Sequence, residues 1–469
     1  MYSRTLAPLL LLVSVASAEP PTRNAYLRAP DFWIDSSAGG NPVHQVDRAV
    51  FPVSGDSIRV ELYYQASYGA LVFQPLGSGF QARVRFDVSW TAEGSKVPAK
   101  RITEDRVVSA DSSVVANADA FQLLHQVTMR LPGDAYWVES ELRNVGGDDV
   151  LPVAQSHFWC DLAEDGPSGL RVGDLQLAAN IGAAEPDADF VKGRYQVLPN
   201  PPRRYSKERY NLLFYMGMYY AGSDSMSFQA RYRITDLYGA SAREFAGGIA
   251  LITPGFKARF GGLNVVTLTN GFYRLVVEFV DADGQVVLSR ERNFQFRTPG
   301  EPPSLPDLYV TTLTDEETQG YGAKFLKNIG SPDDPARYEA IADPAAQRRF
   351  IEQWWQSDAE ERGLSTAEWR GEILRRFALV DQRYADPYRE GWRSDRGRIL
   401  VRYGEPLEIE TRDFETDERA GEMWEFLING ERKFCYFVDR RGSGKYEMDA
   451  TDIDGEHART RQRPNFYGF

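Results

Sequence analysis

Phe80-Gln81-Ala82-Arg83-Val84-Arg85-Phe86-Asp87-Val88-Ser89-Trp90 places apolar side chains at every second position, at Ala82, Val84, Phe86, Val88 and Trp90. Its first six residues return as Phe228-Gln229-Ala230-Arg231-Tyr232-Arg233. Period-two alternation over that length predicts a strand buried on one face, as in an antiparallel sheet. Ser57 to Ser67 alternates in the same way, through Ile58, Val60, Leu62 and Tyr64. Each copy follows a Tyr-rich run, Leu62-Tyr63-Tyr64 before the first, and Phe214-Tyr215 with Tyr219-Tyr220 before the second. A second parallel closes each block. Gly133-Asp134-Ala135-Tyr136 leads to a strand, a Gly146-Gly147-Asp148-Asp149 turn and Val150-Leu151, while Asn270-Gly271-Phe272-Tyr273 leads to a strand, an Asp283-Gly284 turn and Val287-Leu288. Two matches in the same order predict tandem sandwiches of related build.

Beyond them, Thr298-Pro299-Gly300-Glu301-Pro302-Pro303-Ser304-Leu305-Pro306 has few backbone donors for a sheet and reads as a semi-rigid linker. The pattern then turns helical. Asp343-Pro344 starts one helix, with Phe350, Ile351, Trp354 and Trp355 on one side. Ser365 and Glu368 form a capping box for the next, Leu364 and Trp369 have the spacing of a hydrophobic staple, and Trp369, Ile373, Phe377, Val380 and Tyr384 make one apolar stripe. The nearest surface for that stripe is a small sheet expected after Gly391. Its strands are read at Ile399 to Tyr403, stopped by Gly404-Glu405-Pro406, then at Met423 to Ile428 and Lys433 to Val438. The fold class is therefore multidomain and mainly β: two tandem antiparallel β-sandwiches, Ig/fibronectin-like, followed by a helical segment and a small α+β domain. The divisions are 19–165 and 166–298 for the sandwiches, 299–308 for the linker, 309–454 for the α+β domain and 455–469 for a flexible, basic tail.

Arg4, the apolar stretch Leu6 to Val15 and Ala16-Ser17-Ala18 have the layout of a secretory signal peptide, 1–18. The apolar stretch is too short to span a membrane, and no later segment approaches the roughly 20 residues needed. An exported chain is expected in the periplasm, at the outer membrane or outside the cell. The formal charge of −13 becomes −14 once Arg4 is removed, which disfavours nucleic acid as a partner. The two cysteines, Cys160 and Cys435, sit in aromatic runs and read as buried thiols; sequence alone leaves a disulfide between them open.

Gly391-Trp392-Arg393-Ser394-Asp395-Arg396-Gly397-Arg398-Ile399-Leu400-Val401-Arg402-Tyr403-Gly404-Glu405-Pro406 resembles the GWxTD domain family of exported bacterial proteins, and the match extends to Trp424 and to Phe437-Val438-Asp439. It covers roughly 310–450, about a third of the chain. Ser394 stands where the family has Thr, which keeps the hydroxyl. The resemblance implies an envelope location and a domain architecture and assigns no activity.

On the residues themselves, Gly391 supplies backbone freedom for Trp392 to lock a loop onto the sheet, with Gly397, Gly404, Pro406, Trp424 and Phe437 as further structural positions. Trp392, Ser394, Asp395, Arg396, Arg398 and Glu405 are the binding candidates, a polar face that either caps a turn or meets a protein or small-ligand partner. His44, His125, His157 and His457 are scattered, and no H-E-x-x-H, G-x-S-x-G, P-loop or C-x-x-C pattern occurs. No catalytic residue, metal or cofactor is expected. The reading is an exported, non-catalytic binding or scaffold protein whose GWxTD-like domain docks another envelope protein. The alternative is a glycan-binding or glycan-hydrolysing protein that uses sandwich aromatics or a carboxylate pair such as Asp395 with Glu405.

Overall fold

In the computed structural model the described residues are 44–95, 100–146, 149–161, 169–298, 306–412 and 419–463. The expected signal peptide, most of the proline-rich linker, the Gly147-Asp148 pair of one turn and the end of the tail lie outside them. The chain divides into two compact units, Met1–Thr312 and Leu313–Phe469.

The first unit holds both sandwiches. Its opening strands are β1 (His44–Pro52), β2 (Ser57–Ser67), β3 (Gln74–Leu76), β4 (Gly79–Ala92), β5 (Lys100–Ala110), β6 (Gln122–Pro132), β7 (Tyr136–Gly146) and β8 (Asp149–Cys160). They form one sheet in the order β1-β2-β6 and a second in which β4 joins β3, β5 and β7, with β8 beyond β7. The alternating residues Val60, Leu62, Ala82, Val84, Phe86, Val88 and Val138 meet between the two sheets.

The second sandwich uses β9 (Leu170–Val172), β10 (Gln176–Ala183), β11 (Val191–Lys192), β12 (Tyr195–Pro199), β13 (Arg204–Tyr205), β14 (Asn211–Tyr220), β15 (Met226–Asp236), β16 (Ser241–Ile252), β17 (Gly255–Asn264), β18 (Gly271–Val280) and β19 (Val286–Phe296). Its sheets run β11-β12-β10-β14-β17 and β13-β19-β18-β15-β16. The strand order β1-β2-β6 with β5-β4-β7-β8 thus recurs as β10-β14-β17 with β16-β15-β18-β19. The repeated hexapeptide occupies equivalent strands, β4 and β15, and buries the same positions, Ala82 with Val84 and Ala230 with Tyr232. Tyr136 and Tyr273, which end the second repeated motif, begin β7 and β18 opposite the ends of those strands, at Ala92 and Asp236.

The two sandwiches meet along β1. An edge strand normally shows one row of unpaired backbone to water, yet Gln45 through Phe51 are all buried. Ala49, Phe51 and Tyr63 pack on Ala178, Val197 and Tyr215 of the second sandwich, with Phe51 edge-on to Tyr215 at 5.8 Å. Asp174 pairs with β1 in the manner of a strand: its N–H donates to Val50 O at 2.9 Å, and its carboxylate accepts the Val50 N–H at 2.9 Å. The same carboxylate takes Arg48 at 3.2 Å. Asp47 accepts from Arg203 at 3.0 Å and from Arg292.

Glu61 and Lys192 make the third buried pair, with side chains 3% and 2% exposed. The Lys192 ammonium lies 4.1 Å from the centre of the Phe51 ring and also faces the rings of Tyr63 and Tyr215. Burial pulls the Lys192 amine down to about 8 against the attraction of Glu61. Burial also acts to raise Glu61, but Lys192 and Arg59 overcome it and hold the carboxyl below its usual value.

The second unit begins with a helix α1 (Asp315–Tyr321) that runs through a π turn at Gly322–Leu326, and continues with α2 (Asp334–Glu339), α3 (Pro344–Glu361), α4 (Thr366–Tyr384) and α5 (Asp395–Tyr403). Asp343 caps α3, and Ser365 and Glu368 close the expected capping box on α4. Leu364, the proposed half of a staple, is exposed. A four-stranded sheet follows, in the order β20 (Glu408–Arg412), β21 (Gly421–Ile428), β22 (Glu431–Asp439), β23 (Tyr446–Thr451). Asn429 and Gly430, both at positive φ, make the two-residue turn between β21 and β22.

Two expectations are corrected here. Ile399 to Tyr403 is the end of helix α5, not a strand. Ser394 caps the helix, Asp395 lies in its first turn, and Gly404 at φ +84° closes it with an N–H to Leu400 O, so the stop at Gly404-Glu405-Pro406 is a helix C-terminus. The stripe on α4 is covered mainly by helical segments and by the turn before α5: Phe377 meets Phe325 at 4.8 Å and Trp392 at 6.2 Å, while Tyr384 reaches the sheet at Trp424.

Lys192→Ala leaves Glu61 buried with one of its two cations, and the expected cost is about 3–5 kcal/mol of first-unit stability. Replacing both partners, Lys192→Met with Glu61→Leu, is expected to restore most of it. Urea midpoints of the two variants measure the difference, and an unchanged midpoint for Lys192→Ala would remove the pair from the account of the joint.

Candidate functional site

The Gly391–Arg393 turn lies flat against the end of α4. The Gly391 N–H donates to Asp381 Oδ1 at 2.7 Å, and a Cβ on Gly391 would stand 2.0 Å from Val380 O. Close approach, not an unusual φ, is therefore what demands this glycine. Gly397 repeats the logic, since its Cβ would fall 2.1 Å from Gly391 O. Between them, the Ser394 hydroxyl donates to Gly391 O at 2.7 Å and accepts the Gly397 N–H at 3.0 Å. Trp392 is buried against Phe377, with the Arg393 guanidinium 4.5 Å from its ring centre.

Each charged candidate on α5 is held by a partner. The Asp395 carboxylate accepts the Met448 N–H of β23 at 2.8 Å. Arg396 bonds Glu422 at 2.8 Å and lies between the rings of Tyr384 and Tyr446, 4.6 and 4.0 Å from their centres. Glu422 also accepts from Trp424 Nε1 at 3.0 Å. Trp424 and Phe437, both fully buried, meet edge-on at 4.9 Å. Glu405 is exposed and 4.0 Å from Arg383, so the carboxylate pair considered for hydrolysis has one member engaged by backbone and the other facing water. Pro406 follows the Gly404 cap.

Arg398 leads to a residue that the sequence reading left in the tail. Glu456, with its side chain 1% exposed, accepts from Arg398, from Arg402 at 2.9 Å and from Tyr403 Oη at 3.0 Å. Burial would raise its pKa, but the two guanidiniums and the phenol hold it below the ordinary 4.5. The segment from Gly455 to Arg463 is mostly exposed but tied to the unit: Glu456 is buried, Thr460 bridges Ala450, and Arg463 reaches Glu425. Arg398 and Arg402, four apart on one helix face with no acid between them, were the signal for a buried partner.

An open groove of about 510 Å³ lies beside the turn, lined by Asp381, Ala385, Asp386, Pro387, Tyr388, Arg389, Glu390 and Arg393. Tyr388 at its lip is 97% exposed. None of the binding candidates named from the sequence lines it. Among the described residues, no group of three His, Cys, Asp or Glu side chains could hold a metal ion. Cys160 and Cys435 are unpaired and buried, and burial pushes both thiols up to about 12.

No protein-family model matches the chain, and no curated protein does. Among solved structures, red sea bream transglutaminase matches 54% of this chain and 31% of its own, with 14% identity and a TM-score of 0.17. Beta-glucuronidase 3 of Bacteroides uniformis, in its apo form, matches 58% of this chain and 34% of its own, with 8% identity and a TM-score of 0.18. A calcium-binding mutant of beta-glucuronidase 2 from the same organism gives 50%, 26%, 8% and 0.19. The chain spans about a third or less of the length of these proteins. No functional argument rests on likeness this slight.

Gly391→Ala is expected to force the turn off α4 and cost about 3 kcal/mol, seen as faster amide exchange across α5 and β23. Glu456 contributes stability that is complete above 4.5, its ordinary value, and lost as pH falls through its lowered folded value. The stability gap between the parent chain and Glu456→Gln should accordingly close on acidification. A gap that stays constant from neutral pH down to about 3 would show that the ionised carboxylate is not the source.

Proposed function

We propose that this chain is an exported, non-catalytic binding or scaffold protein of the cell envelope, and that its C-terminal unit is a GWxTD-like docking module. The observation that carries the reading is the commitment of the charged side chains on α5 to the fold. Asp395 holds β23, Arg396 holds Glu422, and Arg398 holds Glu456. General acid–base work needs a titratable group directed at a substrate site, and these three are directed at their own unit. Preorganised polar turns on rigid supports are suited to recognition.

The docking face in this reading lies beside the motif, at the Ala385–Arg393 groove. Tyr388 projects from it, flanked by Asp386, Arg389 and Glu390. An exposed aromatic among mixed charges is the composition of a protein-binding hot spot.

Placing a photo-crosslinking phenylalanine analogue at position 388 of the full chain tests this. The expected outcome is one discrete protein adduct from envelope fractions, abolished by Arg389→Glu and untouched by Glu405→Gln. Adducts insensitive to Arg389→Glu would sink the docking face. Glycan turnover lost in Glu405→Gln would replace the whole reading with carbohydrate chemistry.

A further inference from the structure

The second sandwich has an edge that its counterpart lacks. In the first, the outer strand β5 carries Lys100, Arg101, Glu104, Asp105 and Arg106, and three of these are tied to Asp87, His125 and Arg85. Charges of this kind keep a sheet edge from pairing with another chain. The equivalent strand, β16, ends its sheet with Gly247-Gly248-Ile249-Ala250-Leu251-Ile252, which has no charge. In a chain of net charge −13, the whole stretch 245–264 contains no acidic residue.

The side chains of this edge are sorted by face. Ala250 and Ile252 enter the core, while Ile249 and Leu251 are 73% and 63% exposed on the outer face. β17, joined to β16 through Thr253-Pro254, ends the opposite sheet. Its residues Lys257 and Arg259 share the inward face with Leu263, which belongs to the core, and Phe256 and Phe260 stand outside. Arg259 Nε donates to Tyr232 Oη of β15 at 2.8 Å, crossing from one sheet to the other. The Lys257 ammonium has no ion-pair or hydrogen-bond partner among the described residues, while its backbone pairs with Met218 of β14. Gly247 O accepts from Gln229 Nε2 at a break in the β15–β16 register, so the open side of the sandwich presents the edge of β16 from Gly248 to Ile252, apolar side chains on the outer face of that strand, and cations on the inner face of β17.

We propose that β16 accepts an extended segment of another protein as an added strand, one whose side chains alternate between apolar and acidic. Backbone pairing along 248–252 supplies the affinity, as in strand-addition complexes. The ligand's apolar side chains lie beside Ile249 and Leu251, and its carboxylates face Lys257 and Arg259 between the sheets. A second copy of this chain is a poor occupant, because it would bring cations to cations and −13 to −13. This surface is separate from the Ala385–Arg393 groove, and neither proposal depends on the other.

Three labelled peptides titrated into the full chain test the inference: one alternating valine and glutamate, one alternating valine and lysine, and the first again with alternate backbone nitrogens methylated. The glutamate peptide is expected to bind saturably, and the other two at least about tenfold more weakly. Lys257→Glu, at a half-buried edge position, is expected to shift the preference towards the lysine peptide, and Ile249→Lys with Leu251→Lys to weaken all binding. Absence of saturable binding up to roughly 1 mM, equal affinity for the three peptides, or an unchanged preference in Lys257→Glu would overturn the proposal. So would sedimentation showing that copies of the chain pair through this edge and that Ile249→Lys separates them.

Discussion

Buried charges on and beside β1 constrain the whole first unit. Asp47, Arg48 and Glu61 belong to the first sandwich, yet Arg203 and Arg292, Asp174 and Lys192, which pair with them, come from the second; Arg59 is a further, local cation for Glu61. A charge taken out of water is costly unless it is paired and hydrogen-bonded. Each sandwich alone would leave part of this set unmatched, so the two halves of the repeat are stable in a single mutual arrangement. The apolar cluster around Phe51 and Tyr215 supplies attraction, which is not directional; the ion pairs fix which residues meet. A one-residue slip of β1 against β2 would turn Asp47 to the opposite face and away from both of its guanidiniums.

The second unit uses charge in a different way. Arg396 and Arg398 project from α5 to Glu422 and Glu456, and Asp395 ties the helix start to β23. Two glycines permit the contact beneath: Gly391 lacks the Cβ that would hold the turn away from α4, and Gly397 the one that would hold α5 away from the turn. The Ser394 hydroxyl then joins those two glycines by one donated and one accepted bond. Thr offers the same hydroxyl.

Much of this was legible beforehand, and the exceptions share a cause. Alternation in β2 and β4, the repeated hexapeptide and the Ser365–Glu368 box are local signals, and each appears where its spacing places it. Ile399-Leu400-Val401 is too short an apolar run for its period to separate strand from helix; the deciding information was the Ser394 cap before it and Gly404 after it. β1 gave little warning of its role, since Asp47 and Arg48 look like solvent-facing residues until partners roughly 130 and 250 positions away are known. The polar residues sought at Asp395, Arg396 and Arg398 are half-buried, and each is bonded within its own unit. Glu456 was passed over because basic neighbours made its segment resemble a solvated tail.

The order in which the joint's parts are made has its own implication. β1 emerges near the start of the chain, while Arg292, which bonds Asp47 and Arg48 O, follows 245 and 244 residues later. At typical rates of about 5–20 residues per second, that interval lasts on the order of ten seconds or more. Until Arg203 is made, part-way through it, a nascent first sandwich carries a carboxylate lacking a cation and an open strand edge that attracts other chains.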